Sequence, residues 1–345
     1  MSIEENVASS TGINCPLPQP RGPLSAAVIE TLRHSPPAHA LPTTEVTHAD
    51  PHGDDLALAL HACYELHYRG FRGVDEAWEW EPGLLALRSV MERSFLDAVR
   101  SEVSGGDDLD EAIAPLLVEP VPGHGLSHFL ATDSEWWHFR EYVAHRSIYH
   151  LKEADPQAWV IPRLQGRAKA ALVAVEFDEY GGGRAERLHA HLFAKMMAAI
   201  GLSSDYLSYL NDVPAPAISI VNLMSLLGLH RSWRGALVGQ FAFVEITSSP
   251  GSRRMVTALE RFGASPSTTR FYTEHIEADA VHEQLLRREV IGGLLEDEPS
   301  LVADVVFGIQ AMELLETKLE EQVMDAWSRG ESSLRRALPT HPGPA

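Results

Sequence analysis

The chain has little of what marks most secreted, membrane-spanning or nucleic-acid-binding proteins. It carries two cysteines, Cys15 and Cys63, in 345 residues. Two isolated thiols cannot build a disulfide framework, and neither belongs to a Cys-x-x-Cys pair. No run approaches the roughly 18 apolar residues that span a bilayer, so no membrane association is expected. The first residues, MSIEENVASS, have neither the basic start nor the apolar stretch of a secretory signal, and a cytoplasmic location is expected. Basic residues are scarce: 28 Lys and Arg against 48 Asp and Glu leave a net charge of −20. Such a surface repels phosphate backbones and anionic lipid, so no nucleic-acid partner is expected. Alternating apolar and polar runs bounded by hairpin turns are missing too, which leaves no basis for β-strands.

What is present is helical. Residues 1–52 hold eight of the 22 prolines, and proline stops helices, so this segment is expected to be a disordered leader. Its histidines (His34, His39, His48, His52) are spaced too irregularly for a metal site. Residues 331–345, ending LPTHPGPA, are expected to be a tail. From Asp54 onward apolar residues recur at helical intervals. The segments lie at about 56–66, 78–103, 134–155, 159–179, 184–200, 216–228, 231–248, 268–293 and 297–328. Gly105-Gly106, Gly181-Gly182-Gly183, Gly201 and Pro250-Gly251 punctuate them. The expected fold class is all-α. Its organisation is an N-terminal helical extension over 53–125 followed by a helical domain over 126–330.

The sharpest chemical signal is TEHIEADAVHE, which holds His275, Asp279 and His282. On an α-helix, steps of four and seven residues turn by about 400° and 700°, which puts the three side chains on one stripe. Two imidazoles and a carboxylate suit non-haem Fe(II) with open positions, and they also suit a catalytic zinc. An ordinary solvated helix face can show the same pattern. A second signal is EFDEYGGGRAERLHAHLF, where Glu176, Asp178 and Glu179 precede the glycine break and Glu186, His189 and His191 follow it. Acids bunched in an apolar string are costly to bury unless they bind a cation. Glu186 with His189, and Glu135 with His138, also have the Glu-x-x-His spacing of ferritin-like bundles. Glu153, in HLKEADPQAW, is a weak signal by itself.

Residues 126–330 resemble the haem-oxygenase-like di-iron oxidases and oxygenases, a family of iron-containing redox enzymes. The segments HLKEADPQAW, LQGRAKAAL, EFDEYGGGRAERLHAHLF and RGALVGQFAFVEITSS carry the resemblance, together with the His-x₃-Asp-x₂-His helix. It implies an up-and-down helical bundle that binds iron directly. The implied metal ligands, which are also the catalytic residues, are Glu153, Glu179, His189, His275, Asp279 and His282. Glu179 and His189 would serve one iron, His275, Asp279 and His282 the other, and Glu153 would bridge. The implied cofactors are two Fe(II)/Fe(III) ions, with O₂ as co-substrate and an external reductant as electron donor. The substrate would be a small molecule, and a homodimer is compatible with the family.

Two reaction types follow from the resemblance. One is N-oxygenation of a small amine or amino acid in natural-product biosynthesis. The other is oxidative C–C cleavage or desaturation of a fatty acid or amino acid. Glu245, an acid in the apolar stretch GQFAFVEITSS, is a candidate substrate contact for an ammonium group, or the partner of an Arg such as Arg234. Trp136 and Trp137 read as core. A non-catalytic haem or metal carrier on the same scaffold would need no carboxylate cluster, and a thiaminase-like hydrolase would need a cysteine in its pocket.

Overall fold

The computed structural model describes residues 15–37, 41, 43–119 and 121–343, and the regular elements among these described residues are all helical. The first third holds α1 (Pro23–Leu32), α2 (Thr43–Val46), α3 (Asp54–Glu65), α4 (Pro82–Glu102) and α5 (Leu109–Ile113). Then follow α6 (Leu126–Thr132), α7 (Trp136–His150), α8 (Asp155–Ala158), α9 (Gly166–Glu179), α10 (His189–Ala199) and α11 (Ala215–Leu229). The chain closes with α12 (Arg234–Arg261), α13 (Pro266–Gln284), α14 (Gly292–Asp297) and α15 (Val302–Ser328). A π-helical segment, Leu285–Ile291, joins α13 to α14. No described helix is long and apolar enough to cross a membrane.

The sequence of α11, APAISIVNLMSLLGL, is apolar on every side, and such a helix belongs in an interior. It packs against α3, α12 and α15, and nearly all of it is buried. Helix α12 lies along both α13 and α15. The α12–α15 contact is backbone against backbone: a Cβ on Gly239 would collide with the Val305 carbonyl, and one on Gly308 with the Ala236 carbonyl. Gly239→Ala must therefore push two helices apart. It is expected to cost about 1–3 kcal/mol, the usual range for overpacking, read as a lower urea midpoint at unchanged m-value.

Three expectations about the chain's course need correction. Within the leader, Pro23–Leu32 is a helix with Leu24, Val28, Ile29 and Leu32 buried against α3. Its first free amides, Leu24 and Ser25 N–H, donate to the Asp55 carboxylate at 2.9 and 2.7 Å. Proline fits at the first position of a helix, and the apolar period prevails over the proline count. His34 pairs with Glu30 and His52 with Glu102. His39, like the rest of 1–14, 38–40 and 42, lies outside the described residues.

The tail is the second correction. Buried Glu141 accepts hydrogen bonds from Ser333 N–H (2.9 Å), Ser333 Oγ (2.8 Å) and Trp327 Nε1 (3.0 Å), which fastens the chain after α15. The third is Pro250, expected to end a helix, which lies inside α12. A proline costs the helix one hydrogen bond. Packing on two sides offsets that loss, and Ser249 Oγ reaches across to the Ile276 carbonyl of α13 at 3.2 Å.

Candidate metal centre

Four helical segments bring their acids and imidazoles to one place. On α13 the predicted stripe holds: His275, Asp279 and His282 are 4%, 1% and 0% exposed. Glu179 closes α9, and all three following glycines have positive φ. At Gly181 a Cβ would lie 2.6 Å from the backbone of Arg187 and Leu188, so the reversal demands glycine. This tight break turns the chain back on itself, and α10 opens with His189, whose Nδ1 lies 2.7 Å from Glu179 Oε2. Glu153 comes from the turn after α7, and Glu245 from the middle of α12.

The donor atoms fall into two groups. Those of Glu153, Glu179, His189 and His275 lie within 4.8 Å of one another, and so do those of Glu179, Glu245, Asp279 and His282. All six residues implied by the resemblance are therefore gathered, but differently from that assignment. Glu179, rather than Glu153, is common to both groups. His275 sits with Glu153 and His189 rather than with Asp279 and His282. Glu245 is 3.3 Å from His282 Nδ1, inside the second group rather than out at a substrate position, and Arg234 pairs with Glu298 instead.

The arrangement is compatible with bound iron. Among the described residues, Glu153 Oε2, Glu179 Oε1, His189 Nδ1, Glu245 Oε2, His275 Nε2, both Asp279 oxygens and His282 Nδ1 are buried without a hydrogen-bond partner. One such atom is costly, and eight converging atoms form a donor set compatible with bound iron. Their spacing agrees. His282 Nδ1 lies 3.3–3.5 Å from three carboxylates, and His189 Nδ1 is close to Glu179 without hydrogen-bond alignment. Four carboxylates also match the charge of two divalent cations, so the filled site would be electrically balanced.

Outer contacts aim the rings. His275 Nδ1–H donates to the Phe271 carbonyl at 2.7 Å, leaving Nε2 for the site. His282 Nε2 lies 3.3 Å from Asp178, leaving Nδ1. Such partners fix tautomer and orientation. In the ion-free site, burial would lower both imidazoles. Asp279 and Glu153 outweigh it at His275 and hold that ring's pKa well above the ordinary value. Asp279 and Glu245 lift His282 to about 11. Burial, then the Asp279 charge, pushes Glu245 up to about 8. Burial also raises Glu153, but His150 and His275 prevail and hold it below the usual carboxylate range. These directions are those of a buried cluster of negative charge.

Other sequence candidates take other roles. Glu186 is exposed and His191 half-buried, and neither joins a group. His138 Nδ1 accepts the Glu135 backbone N–H at 2.9 Å, a helix cap that disposes of the ferritin-like reading. Trp136 and Trp137 pack against the core. Cys63 is buried, and burial raises its thiol to about 12; it does not line the cavity beside the site. Glu176, 2% exposed and unpartnered, is raised well above the usual range by burial and then by Glu179.

That cavity has a volume of about 390 Å³. His150, His275, Ile220, Met224, Phe243 and Arg146 are among the residues on its wall. Arg146 makes two hydrogen bonds to Glu316, at 2.7 and 2.6 Å.

A model of the iron-containing redox enzyme family matches residues 140–317, just over half of the chain. The chain belongs to this family. Its all-α architecture is the haem-oxygenase-like fold, and the match spans all seven residues of the two donor groups. The chain is also similar to nitrosourea synthase from Streptomyces achromogenes subsp. streptozoticus, 28% identical over 192 residues. That covers 54% of this chain, which spans only 40% of the length of that relative.

Proposed function

We propose that this chain is a di-iron, O₂-activating oxygenase that oxidises the nitrogen of a small amine or amino acid. Glu153, His189 and His275 hold one iron, Glu245, Asp279 and His282 hold the other, and Glu179 is shared. The observation that carries this reading is the pair of donor groups meeting at Glu179, with His275 on the wall of a neighbouring cavity. The likeness to a nitrosourea synthase supports nitrogen as the atom oxidised.

Bound iron supplies the O₂ chemistry, with electrons from an external reductant. The chain does the rest. Its four carboxylates neutralise the cations, and its imidazoles bind as neutral donors aimed by Phe271 and Asp178. The cavity would place the substrate beside His275, with the buried Phe271 and Tyr149 also on its wall. On the same cavity wall the Arg146–Glu316 pair presents both signs of charge, which suits an ammonium and a carboxylate on one molecule. A saturated hydrocarbon tail would meet charged groups there, which disfavours the fatty-acid reading.

The test is O₂ uptake by Fe(II)-loaded protein supplied with amino acids, simple amines or fatty acids, with products identified by mass. Added oxygen on nitrogen supports the proposal. Uptake stimulated by fatty acids alone, with loss of a carbon, contradicts it. Arg146→Met should raise KM for a zwitterionic substrate about tenfold or more and leave kcat within a few-fold, because Arg146 belongs to neither donor group and its loss removes a binding contact. A fall in kcat at unchanged KM would place Arg146 elsewhere in the reaction.

A further inference from the structure

The turn that carries Glu153 is held from outside the family-matched region. Leu151 to Ala154 link α7 to α8, and Ala154 has φ +72°, a left-handed conformation that a residue with a Cβ keeps only where its surroundings over-determine it. Those surroundings come from the end of α3 and the residues just after it. The Lys152 ammonium is 1% exposed, lies 2.9 Å from the wholly buried Glu65 carboxylate and sits 4.1 Å from the Tyr68 ring centroid. Tyr206 Oη donates to the same Glu65 oxygen at 2.9 Å. Arg69 lies over the Tyr206 ring and donates through Nη2 to the Leu151 carbonyl at 2.9 Å. Both residues immediately before Glu153 are thus fastened to the N-terminal layer, one by its side chain and one by its backbone. After Glu153, Tyr180 Oη donates to Asp155 at 3.0 Å, which ties the same turn to the residue following Glu179.

We propose that Glu65 and Arg69 are positioning residues for the metal centre: through Lys152 and the Leu151 carbonyl they hold the Glu153 turn in its strained, ligand-presenting shape. The N-terminal helices then form part of the metal site's scaffold. A buried ion pair contributes little net stability but fixes geometry well, because an altered turn would leave a charge unpaired. The distinction from plain structural support lies in which ion is lost. Loosening this turn disturbs Glu153 alone and leaves Glu245, Asp279 and His282 where they are.

The proposal rests on Glu153 being a ligand, so the experiment includes Glu153→Gln. Anaerobic titration with Co(II), followed by its visible d–d bands and by equilibrium dialysis, counts the sites and gives their affinities without turnover. Glu153→Gln should lose one of the two Co(II) sites. Arg69→Ala, whose side chain is largely exposed, should weaken that same site about 10–100-fold, the usual effect of removing an outer-shell contact, and leave the other unchanged. Arg69→Lys, which keeps a donor for the Leu151 carbonyl, should recover most of the loss. The paired change Glu65→Leu with Lys152→Met removes both charges together and should weaken the same site while unfolding remains cooperative. If Glu153→Gln loses a site but Arg69→Ala and the paired change bind both ions as the unaltered chain does, the positioning role is overturned and the ligand assignment stands. Equal weakening of both sites would also overturn it, since that is a general loosening of the fold. If Glu153→Gln binds both ions normally, the ligand assignment falls and the positioning role with it.

Discussion

Glu179→Gln is expected to destroy both iron positions at once. Among the described residues its carboxylate is the one donor common to both groups, so on the proposed assignment the substitution would remove an anionic ligand from each ion and leave two cations facing three carboxylates. Removing an outer-shell partner costs about 10–100-fold in metal affinity. A shared inner ligand should cost more, on the order of 10³-fold, and O₂ uptake should fall to background. Glu153→Gln, by contrast, should weaken only the group holding His189 and His275. Measured Fe(II) affinities that fall equally for the two variants, each at one site, would show that no carboxylate is shared.

The second large effect is at Glu245. As a substrate contact its loss would raise KM with iron still bound; as a ligand its loss removes iron. The geometry predicts the latter. Glu245 lies 3.3 Å from His282 Nδ1, is 4% exposed, and is absent from the cavity wall that its neighbours Phe243, Val244 and Thr247 help to line. Glu245→Gln should therefore lower Fe(II) affinity at the Asp279–His282 group by about 10²-fold or more and abolish turnover, even at saturating substrate. Retained iron with a raised KM would return Glu245 to the substrate.

The difference between these two residues shows what a sequence can carry. The α13 stripe was legible because the steps from His275 to Asp279 and His282 are fixed by the helix period. Acids beside a glycine break pointed to this segment, with Glu186 and His191 left as rivals; the pairing of Glu179 with His189 came through the resemblance, and the positive φ of three consecutive glycines explains the break. Glu153 carried only a weak local signal, and its ligand role entered through the resemblance. Which carboxylate is shared was not legible, because it depends on how α9, α12 and α13 approach one another across the core. Glu245 did leave a trace, an acid alone in an apolar helix. A lone buried acid needs some cation, and only the fold shows whether that is an arginine, a substrate ammonium or a metal.

The N-terminal segment was misread for a similar reason. Proline content describes the chain in isolation, whereas Leu24, Val28, Ile29 and Leu32 become a helix face when α3 is there to cover them. Pro250 was read as a stop because proline breaks isolated helices, and α12 continues because α13 and α15 hold it on two sides.

Anaerobic titration of the chain with ⁵⁷Fe(II), followed by Mössbauer spectroscopy, tests most directly whether two ions share one carboxylate between the two buried donor groups. Close to two high-spin ferrous ions per chain are expected at saturation, in two comparable populations, with weak magnetic coupling through the shared carboxylate. A single population saturating at about one ion per chain, with Glu245→Gln and Asp279→Ala leaving it unchanged, would contradict this.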